Sequence, residues 1–119
     1  MKSRISDRER LLHISDAIDS LIDFTNGISY DQYNEDYKLR LAVIKLIEII
    51  GEASSGISPQ LQEQYPGVDW AILKSIRNVL VHEYFGIDYE IIWNTLKTNI
   101  PELKPQIGQI ISELKSSPP

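Results

Sequence analysis

From Leu11 to Ile111 the apolar residues of this chain return every three or four positions, a period that suits helices and poorly suits strands. Leu11, Leu12, Ile14, Ile18, Leu21, Ile22 and Phe24 form the first such stripe. Ser6 or Asp7 is placed to cap it, and Asn26-Gly27 to end it. A second stripe runs through Leu39, Val43, Leu46, Ile47 and Ile50. Leu41, Ile44 and Ile49 widen it enough to predict a helix covered on two sides. Gly51 sits inside that pattern, where glycine costs roughly 1 kcal/mol against alanine, so a close helix crossing is expected there. No strand run and no internal repeat interrupts the pattern.

The punctuation divides the rest. Ser58-Pro59 ends the second helix, and "PQLQEQYPGVDW" reads as a connector with at most one short turn, stopped by Tyr65-Pro66-Gly67. Asp69 is an N-cap for "WAILKSIRNVLVHEYF", which Gly86 closes. Asp88 caps "YEIIWNTLKTNI". Pro101 reads either as a first-turn proline or as a kink before "ELKPQIGQIISELK". The tyrosine-rich stretch "SYDQYNEDYKLR" carries no clear period. The expectation is an all-α, up-and-down bundle of four to five helices in a single domain spanning 1–119, with 116–119 a frayed tail.

The chain's 119 residues are enough for a core without staples, and with no cysteine neither a disulfide nor a thiolate metal site can form. A net charge of −5 argues against a protein that coats nucleic acid. It leaves room for a local basic cleft, for which Lys38, Arg40, Lys45, Lys74 and Arg77 are the mid-chain cations. The N-terminal stretch has no signal-peptide core, and no apolar run reaches membrane length, so a cytoplasmic protein is expected.

The chemistry concentrates in "IRNVLVHEY", residues 76–84. At ~100° per residue Arg77 and Tyr84 fall about 20° apart on a helix, and His82 about 140° from Arg77 with Asn78 between them. The polar residues thus span one broad side while Val79 and Leu80 are free to pack. Arginine grips phosphate with a planar, permanently charged fork, and histidine exchanges a proton near neutral pH. RNA carries its own nucleophile, the 2′-hydroxyl. Its cleavage therefore needs only positioning, proton movement and charge stabilisation, without a metal or any other cofactor. No metal-ligand cluster surrounds either histidine, His13 or His82. A structural role is equally consistent with these residue types: His82 bonded to a carbonyl, and Arg77 paired with Glu48 or Glu52. His13 reads as structural.

The residues Arg77, His82 and Tyr84 match an R-x4-H-x-Y signature and resemble the HEPN superfamily, in its HepT-like toxin branch. "IIGEAS" at 49–54, "YPGVDW", the segment from Asp88 to Trp93 and "IPEL" at 100–103 are similar to that branch in the same order. The resemblance implies a homodimer whose motif helices meet in a shared cleft. It implies a metal-independent endoribonuclease with Arg77 and His82 as catalytic residues, and Asn78, Lys74 and Glu52 in support. It also implies the toxin of a type VII toxin-antitoxin system, whose partner is an MntA-type nucleotidyltransferase that attaches AMP to Tyr84. The alternative within the superfamily is a non-catalytic module that binds nucleotides or proteins.

Overall fold

The computed structural model describes residues 6–82 and 88–116, and the side chains of all of these except 77–82, 115 and 116. Among the described residues the chain is all-α. Four long helices, α1 (Asp7–Thr25), α3 (Tyr37–Ser55), α5 (Trp70–His82) and α6 (Tyr89–Ser116), are joined through two short ones, α2 (Tyr30–Glu35) and α4 (Pro59–Gln64).

Each start is fixed by a side chain that takes up an otherwise unsatisfied amide. Ser6 makes a reciprocal capping box with Glu9 at α1, and Ser29 makes one with Gln32 at α2. Asp36 accepts from the Leu39 amide at 3.0 Å, Asp69 from Ile72 at 3.1 Å, and Asp88 from Glu90 and Ile91 at 3.0 and 3.1 Å. The short helix α2 was not expected from its composition. Its signal is the "SYDQ" pattern itself, a capping box ahead of a single inward residue, the fully buried Tyr33.

The core is continuous across the long helices, and α3 lies at its centre, packed by α1 on one side and α5 on the other. This is the two-sided burial that its wide stripe required. Val43, Ile47 and Ile50 are buried, as are Gly51, Ala53 and Ser54. Leu41 belongs to the stripe by spacing but is 47% exposed. On α1, Phe24 is likewise 46% exposed. Thr25 takes the inward position of that last turn, four residues after Leu21, and its hydroxyl donates to the Leu21 carbonyl at 2.6 Å.

Neither proline ends α6. The helix runs through Pro101 and Pro105 for 28 residues. Its buried row, Trp93, Leu96, Ile100, Leu103, Ile107 and Ile110, keeps helical spacing straight across them. Both prolines are exposed, so the carbonyls they leave without amide partners face water, where a missing bond costs least. At 1.5 Å per residue such a helix is about 42 Å long, close to the 48 Å long axis of the molecule.

One polar contact ties distant parts of the chain. The Ser58 amide and hydroxyl donate to the two carboxylate oxygens of Asp7 at 3.0 and 2.6 Å, locking the first turn of α1 to the cap of α4. The contact is half-buried and involves a charge, so its removal leaves two donors unmatched. Asp7→Ala is expected to lower unfolding free energy by about 1–3 kcal/mol, read as a lower urea midpoint at constant slope. An unchanged midpoint would show that the clamp is dispensable.

Candidate functional site

The segment richest in chemistry occupies the last two turns of α5 and the residues after it. Asp69 sets where α5 begins, and the Trp70 indole, donating to the Tyr65 carbonyl at 3.0 Å, fixes its entry. Trp70 and Leu73 are buried, while Ala71, Lys74 and Ser75 are exposed. These residues set the register of everything that follows. Arg77 stands four residues after Leu73 and seven after Trp70, so its position continues the buried row. Asn78 follows Lys74 by four, and His82 follows Ser75 by seven, so both continue the exposed one. Arg77 and His82 therefore hold the two edges of one helix surface, with Asn78 between. The side chains of Arg77, Asn78 and His82 lie outside the described residues, as do Tyr84 and the closing Gly86 altogether.

The supporting candidates lie on two helices that pack together, α5 and α3. Lys74 is exposed on α5, one turn before Asn78. Glu52 is exposed on α3 and lines a cleft of about 220 Å3 towards α1 with Arg10, His13, Lys45 and Glu48. Glu48 is engaged with Lys45 at 3.1 Å. His13, read as structural, is exposed in this cleft rather than packed in the core. Arg10 has a different task. Its guanidinium lies against Gly56, the C-cap of α3, where a methyl group would collide with it, so the cation sits at the negative end of that helix.

A cavity of about 200 Å3 opens beside the motif helix, lined by Ile47 of α3, Ile72, Ser75 and Ile76 of α5, and Ile91, Ile92 and Thr95 of α6. A second hollow joins Asp69 and Leu73 to Leu103 and Gln106. Together they show α6 running antiparallel to α5, its first turns beside the turn that precedes Arg77.

That end of the bundle also holds a group of rings that sequence inspection did not single out. Tyr33 lies 4.8 Å from Trp93 and 6.1 Å from Tyr30, centroid to centroid, and its hydroxyl donates to the Tyr89 carbonyl at 3.1 Å. Burial pushes the Tyr33 phenol up to about 12, partly offset by the Arg40 guanidinium. Among the described residues no three His, Asp or Glu side chains converge as a metal site requires, and no helix is long and apolar enough to cross a membrane.

With this geometry in place, comparison with known proteins is informative. A family model described as Ribonuclease HepT-like matches residues 14–110. A Methanocaldococcus jannaschii protein named as a candidate RNase is 38% identical over 97 residues, 82% of this chain and 89% of that one. A Caldanaerobacter subterraneus subsp. tengcongensis protein, also named as a candidate RNase, is 37% identical and covers 91% of this chain and 96% of its own length. A Thermococcus cleftensis protein named Probable ribonuclease HepT is 37% identical over 105 residues, 88% of this chain and 96% of that one. No solved structure matches.

The raised Tyr33 phenol has a consequence for stability. Its folded pKa of about 12 exceeds the ordinary value of 10.0. Between these pH values the unfolded chain releases this proton and the folded chain keeps it. Stability from this group is therefore whole below pH 10.0 and lost as pH rises through about 12. Tyr33→Phe should flatten that alkaline decline in a pH series of urea unfolding; an unaltered slope would assign it to other groups.

Proposed function

This chain belongs to the ribonuclease HepT-like family, and from that premise we propose that it is the RNA-cleaving toxin of a type VII toxin-antitoxin pair, a metal-independent endoribonuclease. The observation that carries the reading is the R-x4-H-x-Y order of Arg77, His82 and Tyr84, with Arg77 and His82 on the one helix that Asp69 caps.

In this mechanism His82 takes the proton of the 2′-hydroxyl as that oxygen attacks the adjoining phosphorus. Arg77 holds the phosphate oxygens and offsets the charge that builds on them. The bond to the 5′-oxygen breaks, and that oxygen leaves with a proton supplied by a second acid. The products are a 2′,3′-cyclic phosphate and a 5′-hydroxyl. One histidine cannot comfortably face both oxygens of an in-line displacement. A homodimer with its motif helices across a two-fold axis supplies the second acid as His82 of the other copy, and doubles Arg77 in the shared cleft. Lys74 and Asn78, one turn apart on the exposed row, would steer and hold the RNA backbone. Glu52, on the neighbouring α3, would help to orient Arg77 or His82.

Control falls to Tyr84. AMP attached to its hydroxyl by an MntA-type nucleotidyltransferase adds bulk and negative charge seven residues along the chain from Arg77, and so would compete with substrate phosphate for the same cation.

Arg77→Ala and His82→Ala should each lower RNA cleavage by about 100-fold or more with circular dichroism unchanged. The unaltered protein should cut total RNA in the presence of chelator and leave cyclic-phosphate ends. Full activity in either folded variant, or strict dependence on added divalent ion, would reject this mechanism. RNA binding without any cleavage would favour the non-catalytic module.

Tyr84→Phe removes the acceptor oxygen and keeps the ring. It should remain toxic when co-expressed with the nucleotidyltransferase and gain no mass. An AMP adduct persisting on this variant would place the acceptor elsewhere.

A further inference from the structure

At the end of the bundle where α6 begins, Arg40 is held in an unusual setting. Its guanidinium carbon lies 5.0 Å from the ring centroid of Tyr89 and 5.7 Å from that of Tyr37. Its Nη1 donates to the Asn34 carbonyl, while its Nε is buried without a hydrogen-bond partner. Tyr33 is fully enclosed beneath this layer, but Tyr37 is 61% exposed. One side of the Tyr37 ring is thus backed by a fixed cation, and the rest faces solvent. Simple packing accounts for Tyr33. It does not account for an exposed ring set over a pre-positioned guanidinium.

We propose that Tyr37 and Arg40 form a nucleotide subsite, in which an unpaired RNA base stacks on the exposed Tyr37 ring and Arg40 holds the adjoining phosphate. The inference rests on the ribonuclease reading above and adds to it how the substrate is chosen. Every base has a π-face, so an aromatic ring backed by a cation is a general platform for single strands. Bases inside a duplex present no free face, so the platform selects unpaired segments.

The location suits the task. Tyr89, against which Arg40 is stacked, precedes by two residues the Ile91 that shares a cavity with Ile76, the residue before Arg77. Of the nearby carboxylates, Asp36 and Asp88 are spent on helix amides at the starts of α3 and α6, which blunts their repulsion of phosphate, and the exposed Glu35 shares its hollow with the exposed Lys38. Because this surface is not strongly basic, the stacking share of affinity should persist at raised salt, while the Arg40 share fades.

The test uses the full-length His82→Ala protein, which should bind RNA without cutting it, and a short fluorescein-labelled single-stranded RNA followed by anisotropy. Adding Tyr37→Ala should weaken binding by roughly tenfold or more. Tyr37→Phe and Tyr37→Trp should stay within about twofold of the parent, since both keep a stacking face. Should the alanine variant fail to fold, Tyr37→Leu removes the aromatic face while keeping apolar bulk, and the same loss is expected. Unchanged affinity in a folded Ala or Leu variant, while the unaltered enzyme still cleaves RNA, overturns the subsite and leaves the ribonuclease standing. Loss of binding together with dissociation of a dimer in sedimentation overturns it too, by making this face a contact between copies that Leu41 on the same helix would share. No binding by the parent and no cleavage by the unaltered enzyme overturns both readings.

Discussion

The contact of α3 with helices on both sides is the constraint that the rest of the bundle depends on. A helix covered on two faces has little room for a polar stripe, and past its first turn α3 keeps its charges, Lys45, Glu48 and Glu52, on one remaining edge. Close approach on the covered faces is permitted by small residues, Gly51, Ala53 and Ser54, all buried in the last two turns. The conformational cost of Gly51 in mid-helix is offset if a neighbouring backbone comes nearer than any side chain would allow. With α1 and α5 placed by α3, α6 has one trough left to fill. Its unbroken inward row fills it, even with two prolines on the outer face.

That packing order has a direct bearing on chemistry. The register of α5 is fixed at its beginning, by the Asp69 cap and by Trp70 and Leu73, several residues before the motif. From there helix geometry alone carries Arg77 to one edge and His82 to the other. The positions on α5 of the two candidate residues, Arg77 and His82, are thus set by a buried indole two turns upstream of the first of them. The HepT-like family model spans most of the bundle, residues 14–110, and not the motif helix alone. This is what such an arrangement requires, because a helix without its frame has no fixed edges.

Much of this was legible in the sequence because periodicity and capping are local signals. The helix boundaries at Ser6, Asp69 and Asp88 followed from side chains that can reach an amide two or three positions away. The double-sided burial of α3 followed from the width of its stripe. Three features needed the fold. The helix through Pro101 survives because the proline rings face water, and orientation relative to solvent is not a local property. Phe24 fits the stripe of α1 by spacing but loses its inward place to Thr25, whose hydroxyl can satisfy itself on the preceding turn. The ring cluster joins Tyr30 and Tyr33 to Trp93, and Arg40 links the rings of Tyr37 and Tyr89, partners more than fifty residues apart in the chain. No short window contains that meeting. At the site the residue types were legible, while the cleft that Glu52 shares with Arg10 and His13 was visible only once α1 and α3 were placed side by side.

The acidity of the chain looks unsuited to an RNA partner until the carboxylates are located. Glu9, Asp36, Asp69 and Asp88 each face the start of a helix, and Asp7 is held by Ser58. A carboxylate there meets the positive end of the helix dipole and several amide protons, so much of its field is cancelled within a few ångströms. The net charge of −5 therefore overstates what an approaching strand meets. The cations are distributed differently. Lys74 projects from the exposed row of α5, and Arg40 is set among rings at the end where α6 begins. Charge at the far side of the bundle is screened beyond about 10 Å at ordinary salt. The local balance along α5 and the Arg40 surface, more than the total, governs whether a phosphate backbone is attracted to this end of the molecule.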